Sequence, residues 1–206
     1  MNKCFSFTRK ALLVALVSAL AVASHATPQT GTMTDTRDGK KYKTVQIGEQ
    51  VWMAENLNYK TKMESWCYDN KESNCVKYGR LYTWKSASNA CPSSWHLPSK
   101  DEFEILISEA GGAEFAGKKL KSKKGWKSKG GKGGNGTDAV GFAALPAGSI
   151  VTGGDFDEGG LNAYFWSATG NSINFTGIVM ELWFFDDNAD LQDTEGEGFS
   201  VRCVKD

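Results

Sequence analysis

Four cysteines constrain this chain more than any other feature. The 206-residue sequence holds five, and one of them, Cys4, lies in a segment built for removal. Lys3, Arg9 and Lys10 form a basic start, Ala11–Val22 is an apolar run, and Ser24-His25-Ala26 is a small-x-small cleavage site. That pattern predicts a secretory signal peptide over residues 1–26. Cys4 precedes the apolar run, so it is no lipoprotein anchor at the cut. Export to an oxidising compartment then leaves Cys67, Cys75, Cys91 and Cys203, an even number that implies two disulfides and allows three pairings. Cys67 and Cys75 flank a polar stretch and could staple a small loop. Cys91 and Cys203 would then tie the middle of the chain to a segment 112 positions further on. The chain-entropy account assigns such a closure about 4–5 kcal/mol. A metal site built on these thiols is not expected, because His96 is the only histidine beyond the leader and no Cys-x-x-Cys occurs.

Composition narrows the fold class. Hydrophobic residues make up 40% and charged residues 23%, as in globular chains. Lys+Arg and Asp+Glu balance at 24 each, so no overall field points to nucleic acid or an anionic membrane. Beyond the leader no apolar run is long enough to span a bilayer. With 23 glycines and 12% aromatics, a loop-rich, aromatic-cored α+β domain is expected and a helical bundle is not. Residues 27–38 read as a flexible lead-in and 39–206 as one domain. Alternation over Tyr42–Met53, broken at Gly48-Glu49, predicts a hairpin. Leu81, Trp84, Ala87 and Ala90 are spaced for a helix over 78–90. Ser99 with Glu102 forms a capping-box signature for a helix over 100–110, ended by Gly111-Gly112. A second short helix covers 113–120. Strands are expected at 142–145, 161–169, 177–185 and 198–204.

Several blocks, taken in order, carry a resemblance. They include Tyr42-x-Thr44-Val45-x-Ile47-Gly48, Trp52-Met53-Ala54-Glu55-Asn56-Leu57, Tyr78-Gly79-Arg80-Leu81-Tyr82 and Cys91-Pro92-x-x-Trp95-His96-Leu97-Pro98. Further on stand Gly125-Trp126, Gly141-Phe142-x-Ala144-Leu145-Pro146, Phe165-Trp166-Ser167-Ala168-Thr169 and Gly198-Phe199-Ser200-Val201-Arg202-Cys203-Val204. The series resembles the Fibrobacter succinogenes major paralogous domain family. That family is similar to the C-type lectin-like group, which includes formylglycine-generating enzymes. The resemblance implies a C-type lectin-like fold with paired terminal strands, two flanking helices and long irregular loops. It favours the pairing Cys91–Cys203, leaving Cys67–Cys75. It also implies a bacterial exported protein, secreted, at the outer cell surface or in the periplasm, with a binding role.

Candidate sites follow from residue chemistry. Asp186, Asp187, Asn188 and Asp190 are closely spaced oxygen donors, which repel one another unless a cation such as calcium offsets them. The plainer reading of the same residues is a polar turn between strands. Asp155, Asp157 and Glu158 among glycines are a weaker version of the same pattern. The Glu-Pro-Asn and Gln-Pro-Asp signatures of calcium-dependent sugar binding are absent. Flat aromatic rings stack on sugar C–H faces. Trp66 and Trp126 are expected at the surface, Trp183 is intermediate, and Trp52, Trp84, Trp95 and Trp166 lie in core patterns. Eight lysines (118, 119, 121, 123, 124, 127, 129 and 132) crowd a Gly/Ser-rich stretch that reads as a mobile, solvated loop. No nucleophile elbow accompanies His96. The expectation is a non-catalytic binding module for cell-wall or insoluble polysaccharide. The alternative is a protein-interaction or envelope-structural module, and a glycan-active hydrolase is third.

Overall fold

The computed structural model describes Met1 and residues 27–171, 176–194 and 198–206. The signal peptide expected over 1–26 lies, apart from Met1, outside the described residues. Strand structure starts earlier than expected. The segment 27–38 is no free lead-in: it contains β1 (Thr30–Thr34), antiparallel to β2 (Lys41–Ile47) with Thr30 opposite Val45. A polar edge strand buries little, so hydrophobicity gives no sign of it. Between the two strands Asp35 is fully buried and ion-paired to Arg37 (2.6 Å), which also donates to the Ala90 carbonyl (2.8 Å). The expected hairpin joins β2 to β3 (Gln50–Met53) across Gly48, whose φ of 58° suits glycine.

The helix expected over 78–90 is split. β4 (Ser65–Trp66) and a 3-10 turn at Tyr68–Asn70 precede α1 (Glu72–Tyr78). Gly79 ends α1 at φ 75°, where a Cβ would strike the backbone of Asn56 and Leu57. Next come β5 (Leu81–Tyr82) and the single turn α2 (Trp84–Ala87), capped by the Thr83 hydroxyl. Leu81, Trp84, Ala87 and Ala90 are buried as their spacing demands, but from different elements. β6 (Trp95–His96) leads to α3 (Lys100–Glu109), where the Ser99–Glu102 capping box forms and Phe103, Leu106 and Ile107 face the core. α4 (Ala113–Leu120) follows. The lysine-rich stretch then makes a hairpin of β7 (Ser128–Lys129) and β8 (Lys132–Gly133) over Gly130-Gly131, rather than a structureless loop. Residues 142–145, expected as a strand, contribute one isolated bridge between Ala144 and Lys121. β9 (Ser149–Ile150) pairs with β10 (Phe156–Asp157). The meander β11 (Ala163–Asn171), β12 (Thr176–Leu182) and β13 (Asp190–Thr194) comes next, then β14 (Phe199–Ser200) and β15 (Val204–Lys205).

Short helices thus stand between strands of two larger sheets, so the class is α+β. One sheet has the order β1-β2-β3-β15-β6, the other β13-β12-β11-β14-β5-β4. The strand expected over 198–204 is in fact two strands in two sheets. Phe199-Ser200 pairs with β11 and β5, and Val204-Lys205 with β3 and β6. The crossing residues Val201, Arg202 and Cys203 are fully buried. Cys203 is bonded to Cys91, and Cys67 to Cys75. No helix among the described residues is long and apolar enough to cross a membrane.

Arg202 is a cation without a carboxylate partner at ion-pair distance among the described residues. Its guanidinium donates to the carbonyls of Phe142 and Ala143 and to Asn56 Oδ1, and stacks over the Phe142 ring at 4.2 Å. Burial pulls its pKa down to about 9, so it stays charged at neutral pH. Asn56 in turn donates to the Tyr78 carbonyl and Ser200 Oγ. One side chain thus fastens β3's exit, the 142–143 turn and the sheet crossover. Replacing Arg202 by Met strands two buried acceptors, the Phe142 carbonyl and Asn56 Oδ1, and the half-buried Ala143 carbonyl; a buried acceptor costs about 1–3 kcal/mol when unmet. Chemical denaturation of oxidised Arg202→Met is expected to show a loss of about 3 kcal/mol or more. A loss below about 1 kcal/mol contradicts the assignment.

His96 forms a second clasp. Its Nε2 meets Glu102 Oε1 (2.7 Å) and its Nδ1 meets Asp206 Oδ1 (2.8 Å), linking β6, α3 and the residue after β15. Partial burial pulls the imidazole pKa down, but the hydrogen bonds to Asp206 and Glu102 outweigh it and the net shift is upward. A raised folded-state pKa means the clasp contributes fully below the ordinary histidine value near 6.5 and fades as pH rises through the folded value. An NMR titration of His96 is expected to give a midpoint above 6.5 that falls in both Glu102→Gln and Asp206→Asn. A midpoint at or below 6.5 refutes the double ion pair.

Candidate functional site

The meander aligns three polar side chains across the second sheet. In register, Tyr164 on β11 stands opposite Glu181 on β12, which stands opposite Asp190 on β13. Directly opposed residues share a sheet face, so the two carboxylates are crowded. Burial raises the Glu181 pKa, and the charges of Asp190 and Glu158 raise it further. Asp190 is raised by burial and then by Asp186. From the turn after β10, Glu158 accepts the Tyr164 hydroxyl proton in a hydrogen bond. The phenol pKa is pushed far up, first by burial and then by that carboxylate.

Tyr164, Glu158 and Glu181 line a cleft of about 460 Å³. Its aromatic wall is Tyr164, Phe199 and Trp183: the Tyr164 ring lies 5.0 Å from Phe199 and 6.2 Å, edge-on, from Trp183. Trp183 is half-buried and donates its indole N–H to Glu181 Oε2 (3.1 Å). Val151, exposed, adds an apolar patch to the lining. The cleft therefore offers π faces, an apolar edge and acceptor oxygens, and no basic side chain lines it among the described residues.

The residues singled out from sequence are distributed differently. Trp126 is not at the surface. It is buried, with its indole N–H shared between Ser122 Oγ and the Ala144 carbonyl, both at 3.0 Å. Trp66 is half-buried in β4, packed against the small cluster of Tyr78, Leu81, Ala147 and Ile150. Of the core tryptophans, Trp52 and Trp166 are fully buried and Trp84 nearly so, whereas Trp95 is half-buried.

The acidic turn Asp186, Asp187, Asn188 and Asp190 is occupied by a lysine. Lys121, expected in a solvated loop, is 1% exposed. Its ammonium donates to the carbonyls of Trp183 (2.9 Å) and Asp186 (2.6 Å) and lies 5.3 Å from the Trp126 ring. Burial lowers its pKa, while Asp187 and Asp186 hold it up. The turn is also tied to α4, since Lys118 N–H reaches the Asp187 carbonyl and Ala189 N–H reaches that of Ala113. Gly117 makes this docking possible, because a Cβ there would collide with the Asn188 carbonyl. Asn188 itself closes the turn by donating its N–H to Asp186 Oδ1. Among the described residues, the one Cys/His/Asp/Glu group close enough to share an ion is Cys67, Glu72 and Cys75, whose sulfurs are bonded to each other. That group can hold a metal only if the disulfide is reduced.

Sequence reasoning reached Trp183 and, among the glycine-flanked acids, Asp157 and Glu158, but not Tyr164, Glu181 or Phe199. The available signal was Glu181, a lone acid inside the apolar run Ile178-Val179-Met180-Glu181-Leu182. Its partners come from strand register, which no local pattern encodes.

The Fibrobacter succinogenes major domain model matches residues 45–205. That span contains both sheets except β1 and part of β2, both disulfides and the whole cleft. No curated protein and no solved structure matches the chain. The protein belongs to the Fibrobacter succinogenes major domain family.

Proposed function

We propose that the domain is an exported, non-catalytic interaction module and that the Trp183–Glu181 cleft engages a protein partner. The observation that carries this reading is the cleft itself: aromatic faces and half-buried carboxylates opening to solvent beside an exposed Val151. Aromatic anchors in partly desolvated pockets are the usual energetic centres of protein interfaces. Export is supported by two disulfides, one closing a span of 112 residues. A C-type lectin-like arrangement is supported by the pairing of β3 with β15 and by the Cys91–Cys203 clasp. The absence of a catalytic role fits His96, whose two ring nitrogens are both held by carboxylates.

Carbohydrate is the second reading, favoured by Trp183, a half-exposed ring next to a carboxylate that can accept from sugar hydroxyls. Trp126, the other expected stacking platform, is unavailable to a sugar because it is buried. Retention of the oxidised protein separates the readings. It is to be measured on envelope proteins of the producing cells, with and without protease digestion, and on insoluble polysaccharide, with and without chelator. Retention on undigested envelope protein is expected, lost on digestion and reduced at least about tenfold by Trp183→Ala, the scale of a modest interface hot spot. Retention on protein-free polysaccharide shifts the assignment to carbohydrate, and its loss with chelator brings in calcium.

A further inference from the structure

The carboxylates of the cleft have no ion-pair partner among the described residues, and the nearby Lys127 ammonium donates to the Gly159 carbonyl (2.8 Å) rather than to Glu158. Across the sheet and along the lining their neighbours are other acids, with Asp190 opposite Glu181 and Asp157 beside Glu158. A neutral ligand leaves that repulsion in place, whereas a cation relieves it. The wall points the same way. The faces of Trp, Tyr and Phe carry negative quadrupole charge and attract ammonium and guanidinium groups.

Hydrogen bonding inside the cleft discriminates between those two cations. Glu158 Oε2 is taken by the Tyr164 hydroxyl and Glu181 Oε2 by the Trp183 indole. Each carboxylate keeps one oxygen, Oε1, without a hydrogen-bond donor among the described residues. The two come from different elements, the turn after β10 and the strand β12. A guanidinium fork is best matched by both oxygens of one carboxylate. A compact ammonium with three freely rotating donors suits single oxygens offered by two different carboxylates. Its alkyl stem needs apolar cover, which Val151 and the Phe199 ring supply.

We propose that this cleft is a receptor for a lysine side chain of the partner, with the ammonium held between Glu158 and Glu181 against the Trp183 ring. The proposal rests on the protein-interaction reading above and specifies its chemistry.

The test uses the oxidised full-length mature protein and Nα-acetyl-L-lysine methylamide as probe, read by the Trp183 indole N–H signal in a nitrogen–proton spectrum. Saturable displacement of that signal at millimolar probe is expected. The norleucine analogue, which keeps the stem and drops the charge, is expected to bind at least about tenfold more weakly, as are Glu158→Gln and Glu181→Gln with the lysine probe. Both substitutions keep an acceptor for Tyr164 or Trp183, and unchanged signals elsewhere verify the fold. Equal binding of norleucine, indifference to both glutamine variants, or no saturation of the Trp183 signal by 50 mM probe, about the weakest affinity worth calling a site, overturns the proposal. Acetylating the lysines of the envelope proteins separates this failure from that of the parent reading. Retention that survives acetylation but not Trp183→Ala keeps the interaction module and removes the lysine. Retention lost on acetylation supports both.

Discussion

The fold hangs on the passage of one short segment between two sheets. Phe199-Ser200 belongs to one sheet and Val204-Lys205 to the other, so the chain passes from sheet to sheet within residues 201–203. Three kinds of bond converge there. The backbone is held by Leu57 N–H on the Val201 carbonyl and Met53 N–H on that of Cys203. Arg202 gathers Phe142, Ala143 and Asn56, and Cys203 is covalently joined to Cys91. Each resists a different failure. The disulfide limits the unfolded ensemble, the guanidinium satisfies buried acceptors, and the backbone bonds fix register. Ala143 makes the dependence visible. It sits at φ 51°, a conformation that disfavours residues with a Cβ, and its carbonyl is held by Arg202 while its N–H is held by Asp138 Oδ1.

Lys121 repeats the logic of Arg202. Both are fully buried cations whose hydrogen bonds go mainly to backbone carbonyls rather than to carboxylates. Oriented carbonyl dipoles can solvate a cation much as water does, without the cost of burying a second charge. With Arg202 and Lys121 served in this way, neither draws a carboxylate into an ion pair, although the chain's charges balance at 24 each. The acids of the cleft are among those left without one.

What was legible beforehand follows from the range of the interactions involved. The α3 capping box, the Gly48 hairpin and the β11 and β12 strands depend on neighbours within a few residues, and they form where local pattern placed them. The pairing of Cys91 with Cys203, implied by the family resemblance, is present. Misreadings cluster where a distant partner decides. β1 is polar and is a strand only because β2 lies alongside. Leu81-Tyr82 fits a helical period and is a strand because β14 recruits it. Lys121 and Trp126 sit in a glycine- and lysine-rich run that looks solvated. They are buried because the 183–186 carbonyls and the Ala144 carbonyl accept their protons. Composition measures how polar a segment is, but not whether the rest of the chain brings acceptors to it.

That distinction also separates scaffold from site. A polar group inside the scaffold is one whose partners are all supplied by the chain, as Asp35 has Arg37 and Asn56 has Tyr78, Ser200 and Arg202. Such groups define one structure and leave nothing for a ligand. Glu158 and Glu181 differ in kind. Each is half-satisfied, with one oxygen held by an aromatic residue that also walls the cleft, so the carboxylate and the ring are positioned together. The internal bond fixes direction and the free oxygen keeps its capacity, which is the preorganisation that lowers the entropic cost of recognition. A surface acid selected only for solubility needs no such orientation. Tyr164 makes the point most directly. Its hydroxyl orients Glu158 and accepts from Asn162, its ring packs on Phe199, and its backbone lies opposite Glu181 in the sheet. One buried phenol thereby sets the geometry of both the wall and the charge.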